Sequence, residues 1–224
     1  MQQIYLDNAA TTPVRPEVEE VMQPYFCEKY GNPSGIYKMA SECRQALETV
    51  RKQIGKTLKV SAEEIYFTSG GTESDNWAIK STAQRLKEKG KHIITSKIEH
   101  HAVLNSCAYL ETQGFEVTYL DVDEWGCVRF DALQRAIRKD TILISIMYAN
   151  NEVGTIQPIG QIGKIAKEND IFFHTDAVQA YGQIPIDVKR ENIHLLSASA
   201  HKFNGPKGVG FLYIDKRVPV MSYI

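Results

Sequence analysis

Seven short runs rich in β-branched and aromatic residues recur along this chain, several of them separated by helix-spaced segments. That alternation restricts the fold more than any other feature. The runs are EIYFT (64–68), HIITS (92–96), FEVTYLDV (115–122), TILISIMY (141–148), IFFHTD (171–176), IHLLSAS (193–199) and VGFLYI (209–214). Between them stand TESDNWAIKSTAQRLKEKG, HHAVLNSCAYLETQG and IGQIGKIAKEND, where apolar residues return every three or four positions. Parallel strands need a crossover of a dozen or more residues, usually a helix. The pattern therefore predicts an α/β domain, a mostly parallel seven-stranded sheet between two helical layers. Ser61 and Glu64 have capping-box spacing, in competition with a strand starting at Glu64.

Bulk properties narrow the partners. The 224 residues are 43% hydrophobic, enough for one substantial core. No repeat, low-complexity stretch or Pro/Gly/Ser-rich linker divides them, which reads as one continuous domain. Basic (26) and acidic (27) residues nearly cancel and are scattered, so no electrostatic footprint for nucleic acid or an anionic membrane is present. A small-molecule partner is expected. Cys27, Cys43, Cys107 and Cys127 form no CxxC pair, which argues against a zinc site and a disulfide framework and for reduced, cytoplasmic thiols. The start, MQQIYLDNAATTP, lacks the basic and apolar regions of a signal peptide, and no apolar run approaches the roughly 18 residues of a membrane span. A soluble, cytoplasmic protein is the expectation.

Open α/β sheets bind ligands beyond the carboxyl ends of their strands, so the residues after each run are candidates. After EIYFT comes SGGTESDN, a glycine pair leading into a helix. Close backbone approach and free first-turn N–H groups make Gly70 to Thr72 a phosphate cradle, although Gly-Gly before a helix is also an ordinary tight turn. There is no GxGxxG and no GxxxxGK[ST]. After HIITS stand His100 and His101; neighbouring helical side chains diverge by about 100°, a poor arrangement for one metal. Either histidine also reads as an ordinary surface or core residue. Asn150 and Asn151 after TILISIMY read as turn formers or as amides aimed at a ligand. Asp176 ends IFFHTD, with Gln179 one turn on; this carboxylate either caps the next helix or pairs with a cation.

The next strand ends in SASAHKFNGPKGVG, bringing Ser199, His201 and Lys202 among small residues. A lysine there reads either as an exposed turn residue or as an amine that forms a Schiff base with a carbonyl compound. Among cofactors, pyridoxal phosphate takes such a lysine and needs an acid for its ring nitrogen. Lys202 and Asp176 supply those two roles, Gly70 to Thr72 the phosphate site, and a strand-end histidine a ring to stack on the cofactor.

The ordered motifs YLDNAATTP, YGNPS, TSGGTESDN, EHHAVL, NNEVGTIQP, HTDAVQAYG and SASAHKFNGPKGVG, running from residue 5 to residue 210, resemble the cysteine desulfurases of the NifS/IscS type. These lie in the class-V aminotransferase branch of the fold-type I pyridoxal phosphate enzymes, with an aspartate aminotransferase-like fold. The resemblance implies that Lys202 holds the cofactor and that Asp176 pairs with its ring nitrogen. Gly71, Thr72, Ser199 and His201 would bind its phosphate. His100 would stack on the ring and move protons, Gln179 would meet the phenolic oxygen, and Asn151 would lie beside it near the substrate carboxylate. The implied reaction turns L-cysteine into L-alanine while a thiolate takes the sulfur as a persulfide, for iron–sulfur cluster or thiocofactor assembly. A homodimer and a sulfur-acceptor or scaffold protein are implied partners.

The family's nucleophilic cysteine, its substrate-binding arginine and its small domain lie beyond the point matching Ile224, and none of the four cysteines matches the nucleophile. The chain thus reads as an arm (1–14) and a cofactor-binding large domain (15–224), inactive alone. In NPSGIYKMA, Gly35, Tyr37 and Ala40 replace the family's usual serine, histidine and glycine, which touches the substrate entrance. A selenocysteine lyase or other class-V lyase is the alternative within enzymes. A non-catalytic dimerisation or scaffold domain is the alternative outside them.

Overall fold

A computed structural model describes residues 4–223; residues 1–3 of the arm and Ile224 lie outside it. All seven β runs become strands: β1 (Ile65–Thr68), β2 (His92–Ser96), β3 (Glu116–Leu120), β4 (Thr141–Ser145), β5 (Phe172–Asp176), β6 (Leu195–Ser199) and β7 (Gly210–Ile214). They form one sheet in the order β1-β7-β6-β5-β4-β2-β3. β7 is antiparallel to both neighbours, so the other six point the same way. Thr68, Ser96, Ser145, Asp176 and Ser199 therefore end their strands along one edge of the sheet.

The helices are α1 (Pro16–Met22), α2 (Pro24–Cys27), α3 (Lys38–Leu58), α4 (Gly71–Leu86), α5 (His101–Thr112), α6 (Phe130–Ala136) and α7 (Ile159–Glu168). Neighbouring strand residues bury on opposite faces. Ile93, Leu143, Leu195 and Leu212 pack with Ala78 and Ile79 of α4 and Val103, Cys107 and Leu110 of α5. Ile94, Ile144, Leu196 and Phe211 pack with Leu133 of α6, Ile162 and Ile165 of α7 and Leu58 of α3. Both faces of the sheet are thus covered, and β2, β4, β6 and β7 are buried throughout. Each fully buried Leu or Ile adds about 1.5–3 kcal/mol to the cohesion of the layers.

Four helices were not apparent in the sequence. α3 is the longest, yet it buries only Ala40, Cys43, Gly55 and Leu58, too sparse a stripe to stand out among its charges. At Ser61 the chain takes a short 3-10 turn (Ala62–Glu64) before β1. The Ser61 N–H donates to Glu64 Oε2 at 3.0 Å, so turn and strand coexist, with the strand beginning one residue later. Residues 4–15 carry no helix or strand, and among the described residues no helix is long and apolar enough to cross a membrane.

Candidate active site

A cleft of about 700 Å³ opens at the edge where the parallel strands end, within the size range of small-molecule sites. The nine residues for which the family resemblance implies a role all line it, namely Gly71, Thr72, His100, Asn151, Asp176, Gln179, Ser199, His201 and Lys202, as does Gly70. Asn150 and His101 do not.

One wall is the start of α4. Gly70 has φ +152° and ψ −175°, a conformation essentially restricted to glycine. A Cβ on Gly71 would lie 2.5 Å from Val178 Cγ2. The chain can thus turn from β1 into α4 pressed against the segment after β5, with the first-turn amides of Gly71 and Thr72 left without acceptors in the helix. The Ser69 N–H is engaged by Glu73 Oε2 at 2.6 Å. Ser199, at the end of β6, faces this turn, with its Oγ 3.4 Å from the Cβ position of Gly70.

The floor is Asp176. Its Oδ1 accepts the Val178 N–H at 2.9 Å, so it caps the local turn and lines the cleft at once. Burial pushes this carboxyl up, while the Val178 N–H, His100 and Lys202 pull it back. Lys202, half-buried, donates to the carbonyls of Ala9 and, at 3.0 Å, Ala10. Burial lowers its pKa, opposed by Asp176 and Asp7. The adjacent His201 is likewise lowered by burial and then by Lys202 and Lys207.

The arm closes one side of the cleft. Thr12 N and Oγ1 both donate to His201 O at 2.8 Å, and Thr12 Oγ1 accepts the Asn204 N–H at 2.8 Å. Thr11 Oγ1 shares a hydrogen bond with His201 Nδ1 at 3.1 Å. Gln179 Nε2 donates to Ala9 O at 2.8 Å, next to Lys202 on the same carbonyl. Asn151 Nδ2 donates to Glu152 Oε1 at 2.7 Å. Its neighbour Asn150 is the turn former, with Oδ1 accepting the N–H groups of Glu152 and Val153.

His100 is the N-cap of α5, its Nδ1 accepting the Ala102 N–H at 3.1 Å. That bond assigns the ring proton of the neutral imidazole to Nε2 and fixes the ring at the cleft. The sequence reading missed Asp7, Asp75 and Lys207, which also line the cleft. Gly35, Tyr37 and Ala40 do not line it; Arg44 Nη1 holds that loop by donating to Pro33 O and Gly35 O.

With this geometry in place, the family described as aminotransferase class-V matches residues 4–221. The chain belongs to that family. Within it, the chain is 64% identical over 217 residues to the cysteine desulfurase IscS of Methanosarcina thermophila, covering 97% of this chain and 54% of that one. It is 60% identical to the cysteine desulfurase IscS of Dictyoglomus turgidum, covering 100% of this chain and 57% of the relative. The chain therefore spans about half the length of these curated relatives. A solved NifS-like protein superposes with a TM-score of 0.97 at 44% identity, over 100% of this chain and 62% of the other. SspA in complex with cysteine superposes with a TM-score of 0.96 at 44% identity, over 99% and 65%. The mostly parallel seven-stranded sheet is the fold-type I architecture of these class-V neighbours.

Class-V desulfurases work with pyridoxal phosphate, and the cleft fits that group. It offers an amine and a carboxylate in one cavity, and beside them a glycine turn that a single added Cβ would fill. A buried carboxyl oxygen, Asp75 Oδ1, is also left without a hydrogen-bond partner in its wall.

Proposed function

We propose that the chain is the cofactor-binding large domain, residues 15–224 with an arm at 1–14, of a pyridoxal-phosphate-dependent cysteine desulfurase. The observation that carries this reading is the meeting of Lys202 and Asp176 in one cleft walled by the Gly70–Thr72 turn. The high identity to relatives named cysteine desulfurase, and a solved neighbour that holds cysteine, support L-cysteine as substrate. In the overall reaction the carbon–sulfur bond of cysteine breaks and a sulfur–sulfur bond forms on an accepting thiolate. The former sulfur-bearing carbon gains a proton, giving L-alanine and a persulfide.

Pyridoxal phosphate, when bound, supplies a carbonyl that condenses with amines and a ring that holds the electrons released at the substrate carbon. Lys202 Nζ provides the amine. Its partial burial favours the neutral form, the nucleophilic one, and the carbonyls of Ala9 and Ala10 aim it. Asp176 would hold the ring nitrogen as a cation. The amides of Gly71 and Thr72, with Ser199 and His201, would take the phosphate at the N-terminus of α4. Gln179 would turn its amide from Ala9 O to the phenolic oxygen, and Asn151 would stand beside it toward the substrate carboxylate. His100 would stack on the ring, with Nε2 left to move protons.

None of the four cysteines lines the cleft: Cys43 and Cys107 are buried, Cys127 is half-buried and Cys27 is exposed elsewhere. The accepting thiolate is therefore not among them, and the chain by itself binds cofactor without turning over cysteine. The reading includes a cytoplasmic homodimer that passes sulfur to an acceptor or scaffold protein for iron–sulfur cluster assembly.

The test is a visible absorption spectrum before and after adding pyridoxal phosphate to the wild type and to Lys202→Ala. The expected outcome is a new band in the wild type alone. A band of equal intensity in both proteins, or none in a folded wild type, removes the reading.

A further inference from the structure

The buried carboxyl of Asp75 has no place in the roles above. It sits one turn into α4, on the face that also buries Gly71, Ser74, Ala78 and Ile79. It is 1% exposed and lines the cleft wall. Its Oδ1 has no hydrogen-bond partner and lies 3.5 Å from Nε2 of His174.

That histidine is not a counter-cation. It is fully buried between two hydroxyls, with Nδ1 2.8 Å from Ser145 Oγ and Nε2 3.0 Å from Ser197 Oγ. Burial drives its pKa down to about 3, so the imidazole is neutral and Nε2 can present a lone pair. An ionised Asp75 would therefore sit in a low-dielectric wall beside a neutral ring, close to a second carboxylate.

The charged and titratable groups around it sharpen the contrast. On β5, Asp176 repels a charge on Asp75, and Glu99, before α5, does the same; Ser197 on β6 is the one group that favours it. Asp176 itself receives the Val178 N–H and is favoured in its charged form by His100 and Lys202. Two neighbouring buried carboxyls cannot both ionise cheaply, and the better-supported one keeps the charge.

Resting on the cofactor reading above, we infer that Asp75 is a positioning residue. It carries the proton of a two-carboxyl floor, so that Asp176 alone presents a negative charge to the ring of the cofactor. Asp75 does not touch the reacting atoms; it acts through Asp176 by staying neutral.

The test uses this chain with its aspartates labelled in the carboxyl carbon. Infrared spectra of the wild type at neutral pH, without cofactor, should contain an isotope-shifted carboxylic-acid C=O band, and Asp75→Asn should lose it. The label separates this band from that of Glu99, whose pKa is raised to about 8. No aspartic-acid band in the wild type, or a band that survives Asp75→Asn, overturns the inference, and the first of these needs no variant to fold.

The second readout is the dissociation constant for pyridoxal phosphate, from the visible band. Asp75→Asn, neutral and nearly isosteric, should stay within about threefold of the wild type. Asp176→Asn should weaken binding by about tenfold or more, because it removes a charge-assisted bond. Equal weakening in both would mean that Asp75 acts as a second carboxylate, and overturns the inference. If no variant and no wild type forms a visible band, the cofactor assignment falls and the positioning role with it, while the infrared result still decides where the proton sits.

Discussion

Gly71→Ala tests whether the start of α4 is shaped by close approach. The new Cβ would stand 2.5 Å from Val178 Cγ2, more than 1 Å inside ordinary carbon–carbon contact. In an open helix, alanine in place of glycine would gain up to about 1 kcal/mol. Here Val178 is held by the turn after β5, where its own N–H is bonded to Asp176, so the overlap behaves as overpacking and costs about 1–3 kcal/mol. The net expectation is a destabilisation of about 1–2 kcal/mol, together with weaker binding of pyridoxal phosphate, because the amides of Gly71 and Thr72 shift with the helix. Val178→Ala removes the clashing methyl and should rescue most of both losses in the double variant, a coupling of about 1 kcal/mol or more. Urea unfolding followed by circular dichroism gives the stabilities, and cofactor titration gives the affinities. If Gly71→Ala is as stable as the wild type, or if its cost is the same with alanine at 178, close packing is not why glycine stands at this position.

Three further outcomes follow from other residues. Glu99, with its pKa raised to about 8, stays protonated in the fold through a range where the unfolded chain ionises, so its contribution is complete in acid and declines as pH rises through about 8; Glu99→Gln should flatten that decline in urea-unfolding stability, by on the order of 3–5 kcal/mol as an upper bound. Asp7 favours the charged form of Lys202, so Asp7→Asn should lower the Lys202 pKa further and move the pH profile for formation of the cofactor band toward lower pH, measured by stopped-flow absorbance; an unmoved profile would remove Asp7 from the cleft electrostatics. Thr12→Val keeps the shape but deletes one bond to His201 O and leaves the Asn204 N–H without its acceptor, at a cost of about 1–3 kcal/mol; the arm should then exchange its amide hydrogens faster than in the wild type.

The strand-end residues were legible because topology turns their positions into a shared location. Once six strands point the same way, Ser199, Asp176 and the turn after Thr68 must converge, whatever the loops between them do. Asp75 escaped because T-E-S-D-N reads locally as a run of interchangeable polar residues. A signal was nonetheless present: Gly71, Ser74, Asp75, Ala78, Ile79 and Thr82 fall at the 3–4 spacing of one helical face, and that face is the buried one. An acid inside an otherwise small or apolar stripe is the feature to search for. Asp7 gave no comparable signal, since the arm has no periodicity and is placed by hydrogen bonds to residues nearly 200 positions away. α3 was lost for the opposite reason, because its long exposed face dilutes the few residues it buries.

The same charges bear on how this cleft would accept the proposed cofactor although acids outnumber lysines in its lining. Glu99, which does not line the cleft, has its pKa raised by burial to about 8, and on the inference above Asp75 holds the proton and Asp176 the charge of the floor. Against it stand Lys202 and Lys207, with the positive end of α4 directed at the same space. Glu73, in the first turn of that helix, is already engaged by the Ser69 N–H and leaves the amides of Gly71 and Thr72 free. On the proposed reading, a phosphate group would meet amide donors at one end of the cleft, and a cationic ring nitrogen would meet the carboxylate of Asp176 at the other. That separation of charge along the cleft would orient a ligand negative at one end and positive at the other, with the proton inferred on Asp75 keeping the second end from becoming doubly negative.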